Sequence, residues 1–177
     1  MCIRDRLRKD LLEGFEDSGV TLPPDKRARA KAIFDELETL RQAFDRNIRD
    51  DPTKVLVTEA ELEGLPEAYR QGRKRDDQGR YVLGLDSPSY QPFMANARNA
   101  AARERYFRAR TSQGGQANMQ LIDELYGLRK ELAGLYGLPS FAAYAVRHRM
   151  VRTPEVVDKF LADVKGAVMA LEKREIE

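Results

Sequence analysis

The sequence predicts a mostly α-helical, multi-helical fold with one short antiparallel β pair, at about 54–57 and 81–85. Three observations carry this. Apolar residues recur every three or four positions through long stretches. Helix starts are marked by proline or by Ser, Thr and Asn caps, and helix ends by glycine. Only two short runs are β-branched and extended in character. Of the 177 residues, 42% are hydrophobic and 34% charged, a balance that supports a folded core rather than a disordered chain.

In chain order, Leu22-Pro23-Pro24 starts the first long helix, because proline suits a first turn whose amide has no intrahelical acceptor. Ile33, Leu37, Leu40, Phe44 and Ile48 then form one apolar stripe on a helix over about 25–49. Asp51-Pro52 stops it, since the residue before proline is pushed out of helical geometry. Val55-Leu56-Val57 is extended. Thr58-Glu59-Ala60-Glu61 has the pattern of a capping box, and Gly64 closes that single turn. Leu65-Pro66 starts a short helix near 67–72, and 74–79 is a polar turn.

Tyr81-Val82-Leu83-Gly84-Leu85 reads as the second strand, weakened by Gly84. Ser87-Pro88 opens a helix through Phe93 and Met94. Asn99 caps a helix over 100–111 that is rich in alanine and arginine. Gly114-Gly115 is a break. Met119, Ile122, Leu125, Leu128, Leu132 and Leu135 form the next stripe, ended by Gly137. Leu138-Pro139-Ser140 leads into a short helix with Phe141, Tyr144 and Val146. Thr153-Pro154-Glu155 starts the last helix, which carries Val157, Phe160, Leu161, Val164, Val168 and Leu171.

Lys plus Arg total 31 against 29 Asp plus Glu, a formal charge of +2, which argues against a dedicated nucleic-acid binder. Arg103, Arg105, Arg108 and Arg110 cluster in sequence, yet on a helix they spread over more than one face. No apolar run approaches the roughly 20 residues a membrane helix needs. No internal repeat of solenoid length is present.

The chemistry is sparse. Cys2 is the only cysteine and His148 the only histidine. A zinc site needs several convergent ligands, and His-Glu-x-x-His is absent. His148, between Arg147 and Arg149, reads as a helix-terminal or partly buried polar residue. No Gly-x-Ser-x-Gly elbow exists. Gln113-Gly114-Gly115-Gln116 lacks a phosphate-loop Lys and reads as a hinge or turn. The neighbouring carboxylates Asp35/Glu36, Asp50/Asp51, Asp76/Asp77 and Asp123/Glu124 point about 100° apart on a helix and read as solvated surface. The aromatic set Tyr81, Tyr90, Phe93, Tyr106, Phe107, Tyr126, Tyr136, Phe141 and Tyr144 reads as core. No catalytic, cofactor-binding or metal-binding residue is assigned.

The two ends look cut. Met1-Cys2-Ile3-Arg4-Asp5 resembles the translation of a transposon adapter from short-read DNA libraries, so residues 1–6 are expected to be non-native. The last helix runs to Glu177 with no closing Gly, Asn or Pro. Residues 7–177 are therefore expected to be part of a longer protein, truncated at both ends, and the resemblance described next implies its helical amino-terminal portion.

Several segments carry a family resemblance in their order and spacing. Val55-Leu56-Val57-Thr58 is followed by Glu61-Leu62 and Gly64-Leu65-Pro66-Glu67. Gly79-Arg80-Tyr81-Val82-Leu83 precedes Pro88-Ser89-Tyr90-Gln91-Pro92-Phe93-Met94. Leu121-Ile122-Asp123-Glu124-Leu125 lies in the next long helix. Phe141-Ala142-Ala143-Tyr144 and Met150-Val151-Arg152-Thr153-Pro154-Glu155-Val156-Val157 are the most specific. Over about 22–171 the chain resembles the thimet oligopeptidase, neurolysin and bacterial oligopeptidase A family of zinc metallopeptidases.

The resemblance implies a neurolysin-like helical fold whose two halves face across a channel that admits short peptides. It also implies one zinc ion, held by a His-Glu-x-x-His helix and a later Glu that follow the matched region. The expected partners are short peptides and the missing carboxy-terminal catalytic half, with no nucleic acid and no membrane. The expected location is cytoplasmic, and the chain alone is expected to be inactive. The alternative is a non-catalytic helical interaction module.

Overall fold

The computed structural model describes residues 3–176, with side chains from residue 4. Eight α-helices and one two-stranded sheet form its regular structure: α1 (Ile3–Asp17), α2 (Pro24–Arg49), β1 (Val55–Val57), α3 (Glu67–Arg70), β2 (Tyr81–Leu83), α4 (Ser87–Asn96), α5 (Ala100–Thr111), α6 (Gly115–Leu135), α7 (Phe141–Val146) and α8 (Pro154–Ile176). The mostly helical fold class and the antiparallel pair stand as the sequence predicts. Of the foreign-looking segment 1–6, Met1 and Cys2 lie outside the described residues.

The chain divides into two compact units. One runs to Arg41 and resumes at Ile122; the other is Gln42–Leu121. The second is organised around the sheet. Val55 pairs with Leu83, Leu56 with Val82 and Val57 with Tyr81. The strands are shorter than predicted, because the pairing stops before Gly84 and Lys54. On the buried face Val57, Leu62, Leu83, Phe93, Ala102 and Tyr106 are sealed from solvent. The Tyr106 ring meets Phe93 and Tyr90 edge-on, with centroids 5.1 and 5.2 Å away. Its hydroxyl donates to the Gly84 carbonyl, which satisfies the one polar atom such burial strands.

The predicted capping box is present around a single 3-10 turn at Ala60–Leu62. The Thr58 amide donates to Glu61 Oε2 at 2.8 Å, and the Glu61 amide reaches Thr58 Oγ1 at 3.4 Å. Gly64 has φ +94, and a Cβ there would lie 2.2 Å from the Asn96 carbonyl oxygen, so both backbone angle and space require glycine. Asn99 caps α5 through the Ala102 amide. Asp86, not singled out in the sequence, caps α4 through the Ser89 amide.

Gln113-Gly114-Gly115 is a pinned turn rather than a loose hinge. The Gly114 amide donates to Asp51 Oδ2 at 3.0 Å and Gln113 Nε2 donates to the Ile48 carbonyl. Just beyond it the predicted stripe of α6 needs a correction. Met119 is exposed, and Asn118 is the buried residue of that turn. Asn118 exchanges its place at the stripe for hydrogen bonds: its Oδ1 accepts from Asn47 Nδ2 at 2.8 Å and its Nδ2 donates to the Phe44 carbonyl.

In the other unit, Ala30, Ile33 and Leu132 are fully buried where α2 packs on α6, flanked by Leu37, Leu128, Phe141 and Tyr144. Two of its helices end in the same way. The Gly19 and Val20 amides bond back to Glu16 and Phe15, and the Gly137 and Leu138 amides to Gly134 and Ala133. Each pair closes a left-handed glycine turn of the Schellman type. The apolar stripe of α8 is solvent-exposed, from 43% at Val164 to 62% at Phe160. Phe107 and Tyr126 are also exposed, against their reading as core. They face away because α5 and α6 bury Ala102/Tyr106 and Leu132/Ala133 instead.

Candidate functional site

Two polar constellations stand out, one in each unit. The first captures the end of α1. The hydroxyls of Tyr136 and Tyr144 both donate to the Asp17 carbonyl, at 2.7 and 2.9 Å. The Arg147 guanidinium stacks 3.7 Å from the Tyr144 ring centroid and 4.8 Å from that of Tyr136. Its Nη2 lies 2.5 Å from Asp17 Oδ1, and His148 Nε2 lies 3.2 Å from the same oxygen. Neither contact has hydrogen-bond alignment. His148 Nδ1 is also 3.6 Å from Glu13 Oε1.

The Arg147 guanidinium at the α1 carboxy-terminus opposes the negative end of the helix dipole, and with the two tyrosine hydroxyls it secures α1. Burial, with Tyr144 next to it, pushes the Tyr136 phenol well above its ordinary range. Tyr136 therefore stays a neutral donor at any physiological pH. The hollow beside these groups, about 460 Å³, is lined by Asp10, Glu13, Gly14, Asp17, Tyr144 and His148 among others.

The second constellation surrounds Glu59. Tyr81 donates its hydroxyl to Glu59 Oε2 at 2.8 Å, Arg75 Nη2 reaches the same oxygen at 3.0 Å, and Arg70 Nη1 reaches Oε1 at 3.1 Å. The Tyr81 hydrogen bond, followed by the charges of Arg75 and Arg70, holds the Glu59 carboxyl below its usual range. Beside it a groove of about 460 Å³ follows β1, lined by Lys54, Leu56, Thr58, Glu61, Arg80 and Arg105 among others. Arg105 crosses to the Leu56 carbonyl and to Glu61, at 3.1 and 3.0 Å.

The four clustered arginines each have a separate task. Arg103 donates to the Ala97 carbonyl and Arg105 bridges to β1. Arg108 pairs with Glu104, and Arg110 reaches Ser87 and the Tyr90 ring. Asp51 is likewise structural. The Thr53 hydroxyl and amide and then the Gly114 amide lower its carboxyl below the usual range.

Chemically, both constellations combine carboxylates with guanidinium groups and tyrosine hydroxyls, and the first fastens the Asp17 carbonyl. Neither brings a nucleophile against a base. Among the described residues no group of three or more His, Cys, Asp or Glu could hold a metal ion, so these residues do not fit a zinc centre. No helix of the described residues is long and apolar enough to cross a membrane. The Tyr136–Tyr144–Arg147 clamp on Asp17 was missed in the sequence. Its one visible sign is the Tyr144-x-x-Arg147-His148 spacing, which places the three on adjoining turns.

Comparison with known proteins adds what the side chains lack. Residues 93–177 match the family model for Peptidase family M3. The chain is 36% identical over 169 residues to Oligopeptidase A of Salmonella typhimurium, covering 86% of this chain and 25% of that protein. It is 34% identical to Oligopeptidase A of Escherichia coli, again over 86% of this chain and 25% of the relative. Against the Thimet-like oligopeptidase of Dictyostelium discoideum identity is 30%, over 84% of this chain and 22% of the relative. The chain thus spans about a quarter of the length of the curated relatives it matches. On these matches the chain is assigned to peptidase family M3, among the oligopeptidases.

Proposed function

We propose that this chain is an amino-terminal portion of a zinc-dependent oligopeptidase that hydrolyses internal bonds of short peptides. In this reading it forms part of the helical wall of the peptide channel and is inactive alone. The observation that carries the proposal is the match to oligopeptidase A proteins over 86% of this chain but 25% of theirs. Three-quarters of a family-length protein is left to hold the chemistry.

In such an enzyme a zinc ion would supply Lewis-acid chemistry from ligands outside this chain. Among the described residues none would serve as its ligands. Their contribution is scaffolding: the β1–β2 unit with its sealed core, and the α1 end held by Tyr136, Tyr144 and Arg147. A cytoplasmic setting belongs to the same proposal. A relative in Arabidopsis thaliana, 32% identical, is described as organellar, chloroplastic/mitochondrial, so compartment differs among relatives.

The test is direct. The purified chain, supplied with zinc, is expected to leave a quenched fluorescent peptide uncut. Turnover that co-purifies with the chain and disappears with a chelator would overturn its inactivity.

A further inference from the structure

A hollow of about 290 Å³ is lined by α2, α6 and α7, all within one unit. Ligand-binding hollows begin near roughly 300 Å³, so this one has room for a single ring rather than a long chain. Half-buried Phe34, Leu37 and Leu125 and fully buried Leu132 line it. The rings of Phe141 and Tyr144 stack beside them, with centroids 5.6 Å apart and planes at 23°. The Tyr144 hydroxyl is committed to the Asp17 carbonyl, so toward the hollow this residue offers ring surface.

Glu38, Arg41 and Arg129 bring charge to the same hollow. Arg41 is matched: its Nε and Nη2 donate to the two Glu38 oxygens at 2.9 and 2.7 Å. Arg29, on the same pair of helices, is matched by Glu131 and Glu36 at 2.6 and 2.9 Å. Arg129 differs. It is half-buried, its guanidinium lies 4.8 Å from the Phe141 ring centroid, and among the described residues no carboxylate pairs with it. A guanidinium carries five N–H donors, and stacking on a ring leaves them for water or a ligand. The hollow therefore joins an apolar lining to one unmatched positive charge. A single carboxylate fits that charge and the forked donor geometry, whereas a dianion such as phosphate would also face Glu38.

We propose that this hollow binds a small acid in which one apolar ring carries one carboxylate on a short tether. The ring packs against Phe141 and Leu132, and the carboxylate pairs with Arg129. This chemistry is found in free arylalkanoic acids and in the carboxyl-terminal phenylalanine of a peptide. The inference rests on α2, α6 and α7 and does not depend on the peptidase reading.

Amide chemical-shift titration of the intact chain with 3-phenylpropionate and with N-acetylphenylalanine tests it. Saturable shifts are expected at Leu37, Leu125, Leu132 and Phe141, with a Kd on the order of 1 mM or tighter for at least one acid. The matching amides, which lack the charge, should bind about tenfold more weakly. Arg129→Gln should weaken the acids by about the same factor and leave the amides unchanged. Leu125→Trp, which fills the hollow, should abolish binding of both acids while far-UV circular dichroism shows helix content kept. Tighter binding of the propionate assigns the site to free acids, and tighter binding of N-acetylphenylalanine assigns it to peptide ends; either supports the proposal. No saturable shift at roughly 10 mM of either acid overturns it. So do amides bound as tightly as the acids, or acids indifferent to Arg129→Gln.

Discussion

The two units of this chain bury their apolar residues very differently. In Gln42–Leu121, twelve residues from β1, β2, α3, α4, α5 and the turns between them close one core around Tyr106 and Phe93. In the unit built from α1, α2, α6, α7 and α8, the described residues place only Ala30, Ile33 and Leu132 in the buried cluster. There Leu7, Leu11 and Phe15 of α1 and Phe160, Leu161, Val164, Val168 and Leu171 of α8 face solvent. Both units use the same local devices: a capping side chain at Asn99 and at Ser140, and glycine with positive φ at Gly64 and at Gly137. The difference teaches that local signals set where helices start and stop, while completeness of the core depends on what else is available to pack.

The largest effect expected from breaking this contrast is in the sealed unit. Tyr106→Ala should cost about 3–5 kcal/mol, the range for emptying a buried aromatic site, read as a lowered urea midpoint. An α8 change such as Phe160→Ser should leave that midpoint unmoved within about 0.5 kcal/mol, because it empties no site. Equal losses from both would erase the distinction.

Next in size is Gly64→Ala. A methyl group 2.2 Å from the Asn96 carbonyl, at φ +94, should cost more than about 1 kcal/mol and shift the thermal midpoint downward. Caps come next: Asn99→Ala and Ser140→Ala should each cost about 1 kcal/mol. For Ser140→Ala the loss should appear as faster amide exchange in α7, with the β1–β2 unit unaffected.

The smallest effect is a pH dependence at Asp51. Its folded carboxyl lies below the ordinary value of 3.8, held there by Thr53 and Gly114. The folded state therefore gains from ionisation at pH above about 4, and that gain is lost as pH falls through the lowered folded value. Asp51→Asn should flatten the acid limb of the stability profile and loosen the Gly114 turn. An unchanged acid limb would show that these hydrogen bonds contribute nothing to folding.

Much of the fold was legible because its signals are local. Pro24, Asn99, Ser140 and Pro154 lie at the helix starts the sequence marks, and the Thr58/Glu61 box forms as written. The strand pair was legible from two short apolar runs, Val55-Leu56-Val57 and Tyr81-Val82-Leu83, between turn signals. What escaped depended on partners distant in sequence. Met119 fits the stripe of α6 by spacing, but Asn118 wins the buried position through Asn47 and Phe44, some 71 and 74 residues away. Phe107 and Tyr126 are aromatic and yet exposed, since hydrophobicity does not say which helix face finds a neighbour. The α1 clamp joins Asp17 to residues 119 and 127 positions later, beyond any motif. His148 was readable only as polar and partly buried, and its carboxylate neighbours come from α1.

The central proposal is that the chain is a non-catalytic portion of a longer zinc oligopeptidase. Reading the source DNA beyond both ends of this reading frame tests it most directly. The account predicts an in-frame continuation with a His-Glu-x-x-His helix and a later glutamate, in a protein about four times as long. A genuine stop codon directly after Glu177 would contradict it and leave a helical interaction module as the reading to pursue.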